Sequence, residues 1–350
     1  MNPGASTSVA ELASDKGPAA GTRSGFWASY WKSLKPREVE EPIDVWVHRP
    51  LAYLIARALL PTKISPNTVT FVSILFGLCA GALLVLRLET SMLIAGVCIF
   101  LSAVFDCADG QLARLRGTSS AFGRMLDGIA DLVVCTAAVG GAVWTVWCKY
   151  QDAGWLGWAA LGLAVVTVIT GSFHTSMYDH YKNVFLRFTS AAYREGEDYE
   201  TALARYQARS TDESIWARLS WPVYVFYVKS QLDYVRGFDP FTSARLNAFP
   251  AFDAARAVIY RKHAAGPMRV WRTLFGFGSL VFGLAVATTF DMIEVYLLLR
   301  LIGLNAVFFG YLRPRQREAS RRAFAELGLV HLTPAGEREP EELEPAPSAI

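Results

Sequence analysis

Cysteine and charge are both scarce in this chain. Of its 350 residues, five are cysteines and 19% are charged, whereas 53% are hydrophobic. The cysteines lie in or beside apolar segments and no pair has metal-site spacing, so we expect free thiols. No apolar stretch follows a basic start, so no signal peptide is predicted. This composition excludes a disulfide-rich secreted domain and fits an ordinary soluble domain poorly.

Long apolar runs dominate the sequence instead. A membrane-spanning helix needs about 20 mostly apolar residues. Six segments reach this length, at about 66–87, 91–114, 121–148, 155–179, 269–290 and 292–312. The sequence therefore predicts an all-α polytopic membrane protein with six transmembrane helices. Basic residues concentrate in alternate connections, which by the positive-inside rule places both termini in the cytoplasm and the protein in the cell membrane.

The N-terminal segments contain no such run. Residues 1–42 are expected to form a disordered tail. Its aromatic and basic stretch, 26–37, suits a membrane-surface anchor, with a plain linker as the alternative. Residues 43–62 predict an amphipathic helix on the cytoplasmic surface of the membrane. A first span is the alternative, but it would bury both Arg49 and Arg57.

The membrane domain is predicted over 43–316 and contains one large departure from a six-helix bundle. Residues 180–267 are mixed, charged and aromatic, and we expect a cytoplasmic insertion of short helices that rests on the bilayer or caps the site. A hidden pair of spans is the alternative, but Lys229 and Asp233 interrupt its apolar run. The tail, 317–350, ends in acidic, Pro-rich sequence and is expected to be largely disordered.

Four aspartates lie within apolar sequence that would cross the membrane. Asp106 and Asp109 fall in the second run, and Asp127 and Asp131 in the third. Carboxylates are costly there and mark functional sites. Because helical residues advance by about 100° each, both pairs lie on one side of their helix, and the short connection predicts an antiparallel, face-to-face pair. Four facing carboxylates predict a site for Mg²⁺, Ca²⁺ or Mn²⁺, and two such ions suit phosphoryl transfer.

Small residues and one arginine accompany these acids. Gly110 and Ala113 lie on the acidic side of the second helix, and Gly123 on that of the third. They predict a ligand slot beside the cations, with close helix packing as the alternative. Arg114 could pair with phosphate oxygens or serve as a positive-inside anchor.

The full pattern, Asp-x2-Asp-Gly-x2-Ala-Arg-x8-Gly-x3-Asp-x3-Asp, resembles the signature of the CDP-alcohol phosphotransferase (CDP-alcohol phosphatidyltransferase) family. Every fixed position is matched over residues 106–131. The stretch 65–70, at the start of the first span, also resembles that family. The resemblance extends over about 43–180 and more loosely over the last two spans, but not over the tails or the insertion.

That resemblance implies an integral membrane enzyme of phospholipid synthesis. The hydroxyl of an acceptor alcohol would attack a CDP-linked donor, most often CDP-diacylglycerol, at the phosphate that bears the lipid, and CMP would leave. The resemblance also implies a homodimer among membrane lipid, with its active site facing the cytoplasm. No nucleic-acid partner is expected.

The resemblance assigns roles within the motif. Asp106, Asp109 and Asp127 would bind two divalent cations, Mg²⁺ or Mn²⁺. Asp131 would complete the metal site and act as general base on the acceptor hydroxyl. The residues implied to bind the CDP moiety are Gly110, Ala113, Arg114, Gly123, Asn67 and Thr70.

The acceptor and two other function classes stay open at this point. A basic cluster near Lys182 favours a phosphorylated acceptor, whereas Asp179 could select an unphosphorylated polyol or amine. Arg300 is an intramembrane cation, for which a function or an acidic partner is expected. A membrane prenyltransferase would need a second acidic motif in a distant span. A carboxylate-based cation transporter would not need the Gly-x2-Ala-Arg spacing.

Overall fold

Helices form every regular element of the described chain, which confirms the all-α prediction. The computed structural model describes residues 25, 29–31, 33–34, 36–88, 90–118, 121–191, 199–208, 215–243 and 252–329. The predicted disorder of the first 24 residues and of 330–350 lies outside these ranges. In chain order the helices are α1 (Arg49–Leu59, preceded by a π-helical turn at Asp44–His48), α2 (Pro66–Leu86), α3 (Ser91–Arg116), α4 (Ala121–Tyr150), α5 (Trp155–Thr189), α6 (Tyr199–Gln207), α7 (Ile215–Phe238), α8 (Pro240–Ser243), α9 (Ala254–Leu274), α10 (Phe277–Thr289) and α11 (Ile293–Glu326).

Six helical segments within the described ranges are long and apolar enough to cross a membrane, as predicted. They are Pro66–Leu86, Ser91–Arg116, Leu126–Ala153, Trp155–Thr189, Ala254–Thr289 and Ile293–Glu326. The last three differ in length from the predicted runs, because charged residues continue these helices past their apolar part. The fifth span combines α9 and α10, and α11 contains two π-helical stretches, at Leu299–Leu304 and Phe308–Leu312.

Local sequence explains where the helices beside the aspartates begin and end. The Ser65 hydroxyl accepts a hydrogen bond from the Thr68 backbone N–H at 3.2 Å and Pro66 opens α2, as an N-cap followed by proline predicts. Gly117 ends α3 with a φ of 65°, which is favourable for glycine. The Thr118 N–H then bonds to the Ala113 carbonyl at 3.0 Å, so the chain turns sharply toward α4.

Close packing of α2 fixes the spacing of the two aspartate-bearing helices. α2 packs along both α3 and α4, whereas α3 and α4 approach each other closely at few positions. A Cβ added to Gly77 would lie 2.6 Å from a Val134 methyl, and one added to Gly81 would lie 2.8 Å from the Ala137 carbonyl oxygen. Only glycine allows this approach. The predicted α3–α4 pair is therefore held together mainly by the packing of both helices against α2, and less by direct contact between them.

The chain before α1 packs into the protein. Tyr30 is 1% exposed, and its hydroxyl donates to the Val45 carbonyl at 2.5 Å. The Glu41 carboxylate accepts hydrogen bonds from the backbone N–H groups of Gly278, at 3.3 Å, and Ser279, at 2.9 Å. These are unpaired donors at the start of α10, which favours a carboxylate there. Burial raises the pKa of Glu41 to about 7, with the neighbouring Asp44 charge adding to the effect.

The predicted amphipathic helix is confirmed in α1. Ala52, Tyr53 and Ala56 are buried, on a helix that packs against α3. Leu51 and Leu54 are exposed. Exposed leucines beside a buried face are typical of a helix that lies on a membrane surface.

The insertion packs against α5 and α11. None of the six spans among the described residues lies between α5 and α9. Asp239, which separates α7 from α8, is fully buried and accepts hydrogen bonds from the hydroxyls of Tyr181 at 3.1 Å, Thr242 at 2.8 Å and Ser320 at 2.5 Å. Because a buried carboxylate needs such donors, this network fixes the junction of α7 and α8 to α5 and α11.

Candidate active site

Three of the four aspartates form a compact carboxylate group. Asp106, Asp109 and Asp127 each offer an oxygen, and these oxygens lie within 4.8 Å of one another. Asp109 is buried, Asp106 is half-buried and Asp127 is exposed. Two oxygens on opposite sides of one Mg²⁺ lie about 4 Å apart, and of one Ca²⁺ about 5 Å apart. The three carboxylates therefore fit one divalent cation, with the hard oxygen ligands that such ions prefer.

Asp131 lies near this group but outside it. It follows Asp127 by one turn of α4, and its carboxylate interacts electrostatically with Asp106, Asp109 and Asp127. The Lys182 ammonium on α5 is also within electrostatic range of Asp131. The structure therefore brings all four aspartates together, with Asp131 beside the group that the other three form.

Thr70 contacts a carboxylate of the group directly. Its hydroxyl donates to Oδ2 of Asp109, and the Thr70 side chain is 3% exposed. A hydrogen bond to a ligating carboxylate fixes the orientation of that ligand. Thr70 and Asp109 lie on different helices, so no sequence periodicity could have revealed this pair.

The other residues of the predicted slot lie in the C-terminal part of α3 and in the first turns of α2 and α4. A Cβ added to Gly110 would lie 3.4 Å from Nη1 of Arg114, so the guanidinium lies over the space that Gly110 leaves. Ala113 on α3 and Gly123 in the first turn of α4 are half-buried. Asn67 is half-buried in the first turn of α2. The geometry thus combines small residues with a cation beside the carboxylates.

The N-terminal segment holds Arg114, which the sequence did not indicate. The Arg114 Nε donates to the Ser33 carbonyl oxygen at 2.6 Å, and the Gln111 side chain amide lies 3.4 Å from the Ser33 hydroxyl. Ser33 is 1% exposed. Because its Nε is engaged in this way, Arg114 presents its terminal nitrogens toward the slot.

Charged groups at the end of α5 pair with one another. Lys182 Nζ lies 2.5 Å from Oδ1 of Asp179, and the Asn183 amide lies 3.3 Å from Oδ2. The Tyr227 hydroxyl of α7 lies 3.5 Å from the same Oδ2. The insertion therefore contacts, through Tyr227, the residues that we expect to recognise the acceptor alcohol.

Arg300 has a phenol and not an acid as its observed partner. It is 6% exposed, and its Nη1 donates to the Tyr296 hydroxyl at 3.1 Å. Its Nη2 has no hydrogen-bond partner among the described residues. Arg300 and Gly171 both line a cavity of about 70 Å³ that also contacts Cys135, one turn beyond Asp131 on α4. This volume is sufficient for a few water molecules.

Comparison with known proteins identifies relatives for the part of the chain that carries the aspartates. A phosphatidylinositol phosphate synthase from Mycobacteroides abscessus is 35% identical over 117 residues, which cover 33% of this chain and 48% of that protein. The synthase of the same name from Corynebacterium glutamicum is 34% identical over 97 residues, 28% of this chain and 42% of the relative. The Mycobacterium marinum protein is 34% identical over 93 residues, 26% and 38% respectively.

The alignments thus span about half or less of each relative. The family model for CDP-alcohol phosphatidyltransferase matches residues 63–186, which include α2, α3, α4 and most of α5. Neither a prenyltransferase nor a cation transporter is supported by these matches. The six spans and this match make the chain a multi-pass membrane protein. The segment that carries the aspartates, residues 63–186, is thus similar to the CDP-alcohol phosphatidyltransferase family.

Proposed function

We propose that this protein transfers a phosphatidyl group from CDP-diacylglycerol to the hydroxyl of an acceptor alcohol and releases CMP. The observation that carries this proposal is the group formed by Asp106, Asp109 and Asp127, whose ligand oxygens lie within 4.8 Å, inside the segment matched by the family. Asp131 lies beside this group as a fourth acid. Three clustered carboxylates by themselves would explain metal binding only, whereas the fourth acid and the neighbouring slot also suit group transfer.

Asp106, Asp109 and Asp127 would hold Mg²⁺ or Mn²⁺, and the family resemblance implies two such cations. When bound, divalent cations offset the charge of a diphosphate and polarise the phosphoryl group. Thr70 supports this role because its hydroxyl orients the Asp109 carboxylate. The protein contributes a fixed set of oxygens at a depth where bare carboxylates would otherwise repel one another.

The space around Gly110 would accept the CDP moiety. Gly110, Ala113 and Gly123 bring no side chain larger than a methyl group into this space, and Asn67, in the first turn of α2, would contribute its amide. The terminal nitrogens of Arg114 are suited to phosphate oxygens, because a planar guanidinium donates two parallel hydrogen bonds. The Ser33 carbonyl holds that guanidinium in place over Gly110.

Asp131 would act as the general base. Its carboxylate accepts the proton of the acceptor hydroxyl while the acceptor oxygen forms a bond to the lipid-bearing phosphorus. The bond from that phosphorus to the bridging oxygen breaks, and CMP leaves with the electron pair. The position of Asp131 outside the three-carboxylate group supports this role, since an acid there can face both the cations and the α5 side.

Turnover by the purified protein tests this function. With radiolabelled CDP-diacylglycerol, Mn²⁺ and an acceptor, the wild type should release CMP without any ion gradient. We expect Asp131→Asn to abolish turnover and to retain donor and Mn²⁺ binding, because the amide keeps the size but cannot accept the proton. Asp152→Asn, at an exposed position between α4 and α5, is the matched control and should keep full activity. Wild-type turnover in Asp131→Asn would disprove the base assignment.

The acceptor is tested separately with a panel of alcohols. Inositol phosphate is its first member, because the relatives are named for phosphatidylinositol phosphate. Unphosphorylated inositol and glycerol phosphate provide the contrasts. Lys182 and Asp179 form a 2.5 Å ion pair, so a phosphorylated acceptor would have to share or displace Asp179 to bind the ammonium. Lipid mass spectrometry of the product identifies the acceptor.

We also propose that both termini and the active site lie on the cytoplasmic side and that the protein is a homodimer. The distribution of basic residues supports this orientation. Lys149, on the opposite side, lies 2.9 Å from Glu294 and 3.8 Å from Asp291, so its charge is offset by acids. The homodimer rests on the family resemblance alone. Cysteine accessibility at engineered termini would test the orientation, and light scattering in detergent would test the dimer.

A further inference from the structure

A basic groove lies between α9 and the C-terminal part of α11. It encloses about 700 Å³, a size typical of ligand sites, and shares no lining residue with the aspartate site. Four of its lining residues carry fixed positive charges and one carries a carboxylate. They are Lys262, Arg269, Arg315, Arg322 and Glu318. Phosphatidyl transfer at the aspartates makes no use of this positive charge.

Two of these cations are available to a ligand. The Arg269 side chain is exposed and forms neither an ion pair nor a hydrogen bond with the part of the chain that the structure describes. Arg315 is exposed and stacks on the Tyr311 ring at 3.8 Å, without a described carboxylate partner. The other two fixed cations each pair with a neighbouring acid. Arg269 and Arg315 therefore give the groove its uncompensated charge.

The groove lies at the level where the fifth and sixth spans would leave the hydrocarbon. Counting about 20 residues back from the end of α10 reaches Val270, and about 20 forward from the start of α11 reaches Arg313. Residues 262–270 and 311–322 supply the walls of the groove. Tyr311, an amphipathic side chain at this level, is exposed at its rim. Phospholipid headgroups occupy this depth.

We propose that this groove binds the headgroup of an anionic phospholipid. Basic pockets between membrane helices suit such headgroups, because two cations can share the phosphate at the bilayer surface. The floor is apolar, with Pro267, Leu312 and Ala319 buried. A floor of this kind suits the glycerol backbone and the first methylene groups, which a free phosphate ion lacks. This inference is independent of the transferase reaction.

Lipid binding by the full-length protein tests the site. Native mass spectrometry in a neutral detergent would give the Kd for phosphatidylglycerol, phosphatidylcholine and inorganic phosphate. We expect the double variant Arg269→Gln/Arg315→Gln to bind phosphatidylglycerol about 30-fold more weakly, at roughly fivefold per cation. Arg256→Gln is the matched control, since it removes a half-buried arginine of α9 that does not line the groove. Added salt should weaken the wild-type interaction.

Each outcome decides the proposal. Equal binding of phosphatidylglycerol and phosphatidylcholine by the wild type, or an unchanged Kd in the double variant, would overturn it. Displacement of the lipid by millimolar inorganic phosphate would assign the groove to free phosphate instead. If the double variant unfolds, Arg269→Gln alone, which removes no ion pair or hydrogen bond within the described chain, should still weaken binding about fivefold. CMP release in detergent is the separate readout of the transferase proposal.

Discussion

Replacement of Thr70 by valine separates two possible roles of this residue. The family resemblance places Thr70 near the nucleotide, whereas the structure shows its hydroxyl donating to the Asp109 carboxylate. Valine keeps the shape of threonine in a position that is 3% exposed, so packing should be preserved. A hydrogen bond to a charged group contributes about 1.5–3 kcal/mol. Its loss should leave Asp109 poorly oriented as a metal ligand.

We expect Thr70→Val to raise the Mn²⁺ concentration needed for half-maximal CMP release by about 10–100-fold, as for other residues that support metal ligands. Turnover should largely recover at saturating Mn²⁺. Electron paramagnetic resonance of bound Mn²⁺, without donor or acceptor, should show the same loss of affinity. Thr70→Ser retains the hydroxyl and should behave like the wild type.

The alternative role gives a different pattern. If Thr70 contacts the nucleotide, Thr70→Val should raise KM for CDP-diacylglycerol and leave the Mn²⁺ dependence unchanged. That result would refute the inference that Thr70 acts through Asp109. The serine variant distinguishes both cases from a packing defect, because it removes the methyl group but preserves the donor.

Two further predictions concern stability. Burial raises the pKa of Glu41 from its ordinary 4.5 to about 7, so the contribution of this residue to folding stability is present at low pH and is lost as the pH rises through 7. Relative to Glu41→Gln, the stability of the wild type in thermal unfolding should therefore fall by at most about 3 kcal/mol between pH 5 and 8. Parallel stability curves for the two proteins over this pH range would contradict the prediction. Gly81→Ala should destabilise by about 1–3 kcal/mol, because its methyl would lie 2.8 Å from the Ala137 carbonyl oxygen. Gly140→Ala, with open space around it, is the control, and equal Tm values would contradict the packing argument.

The spans and the aspartate group follow from local patterns. Apolar runs predict spanning helices because the bilayer fixes their length. The spacing of Asp106, Asp109 and Asp127 predicts a shared site because helical periodicity sets which side chains face together. The Ser65 and Pro66 pair predicts the start of α2 for a similar reason, since both act within one turn. Patterns of this kind depend on neighbours in sequence.

Contacts between distant segments could not be predicted in this way. No sequence pattern indicated that Ser33 contacts Arg114 or that Glu41 contacts the start of α10. Composition favoured a disordered tail before residue 43, but Tyr30 is buried there. The predicted boundaries of the insertion, 180–267, also differ from the structure, because α5 continues to Thr189 and α9 begins at Ala254. The composition of a segment does not show which distant segments it contacts in the folded protein.

The sequence by itself determined the all-α membrane class of the protein and the grouping of its aspartates, because bilayer thickness and helical periodicity act over short stretches. Tertiary structure decided how that site is held. α2 fixes the distance between α3 and α4 through glycine contacts. Thr70 donates a hydrogen bond to Asp109, and Asp131 lies beside the three-carboxylate group. These arrangements depend on how separate helices pack, which no single stretch of sequence specifies.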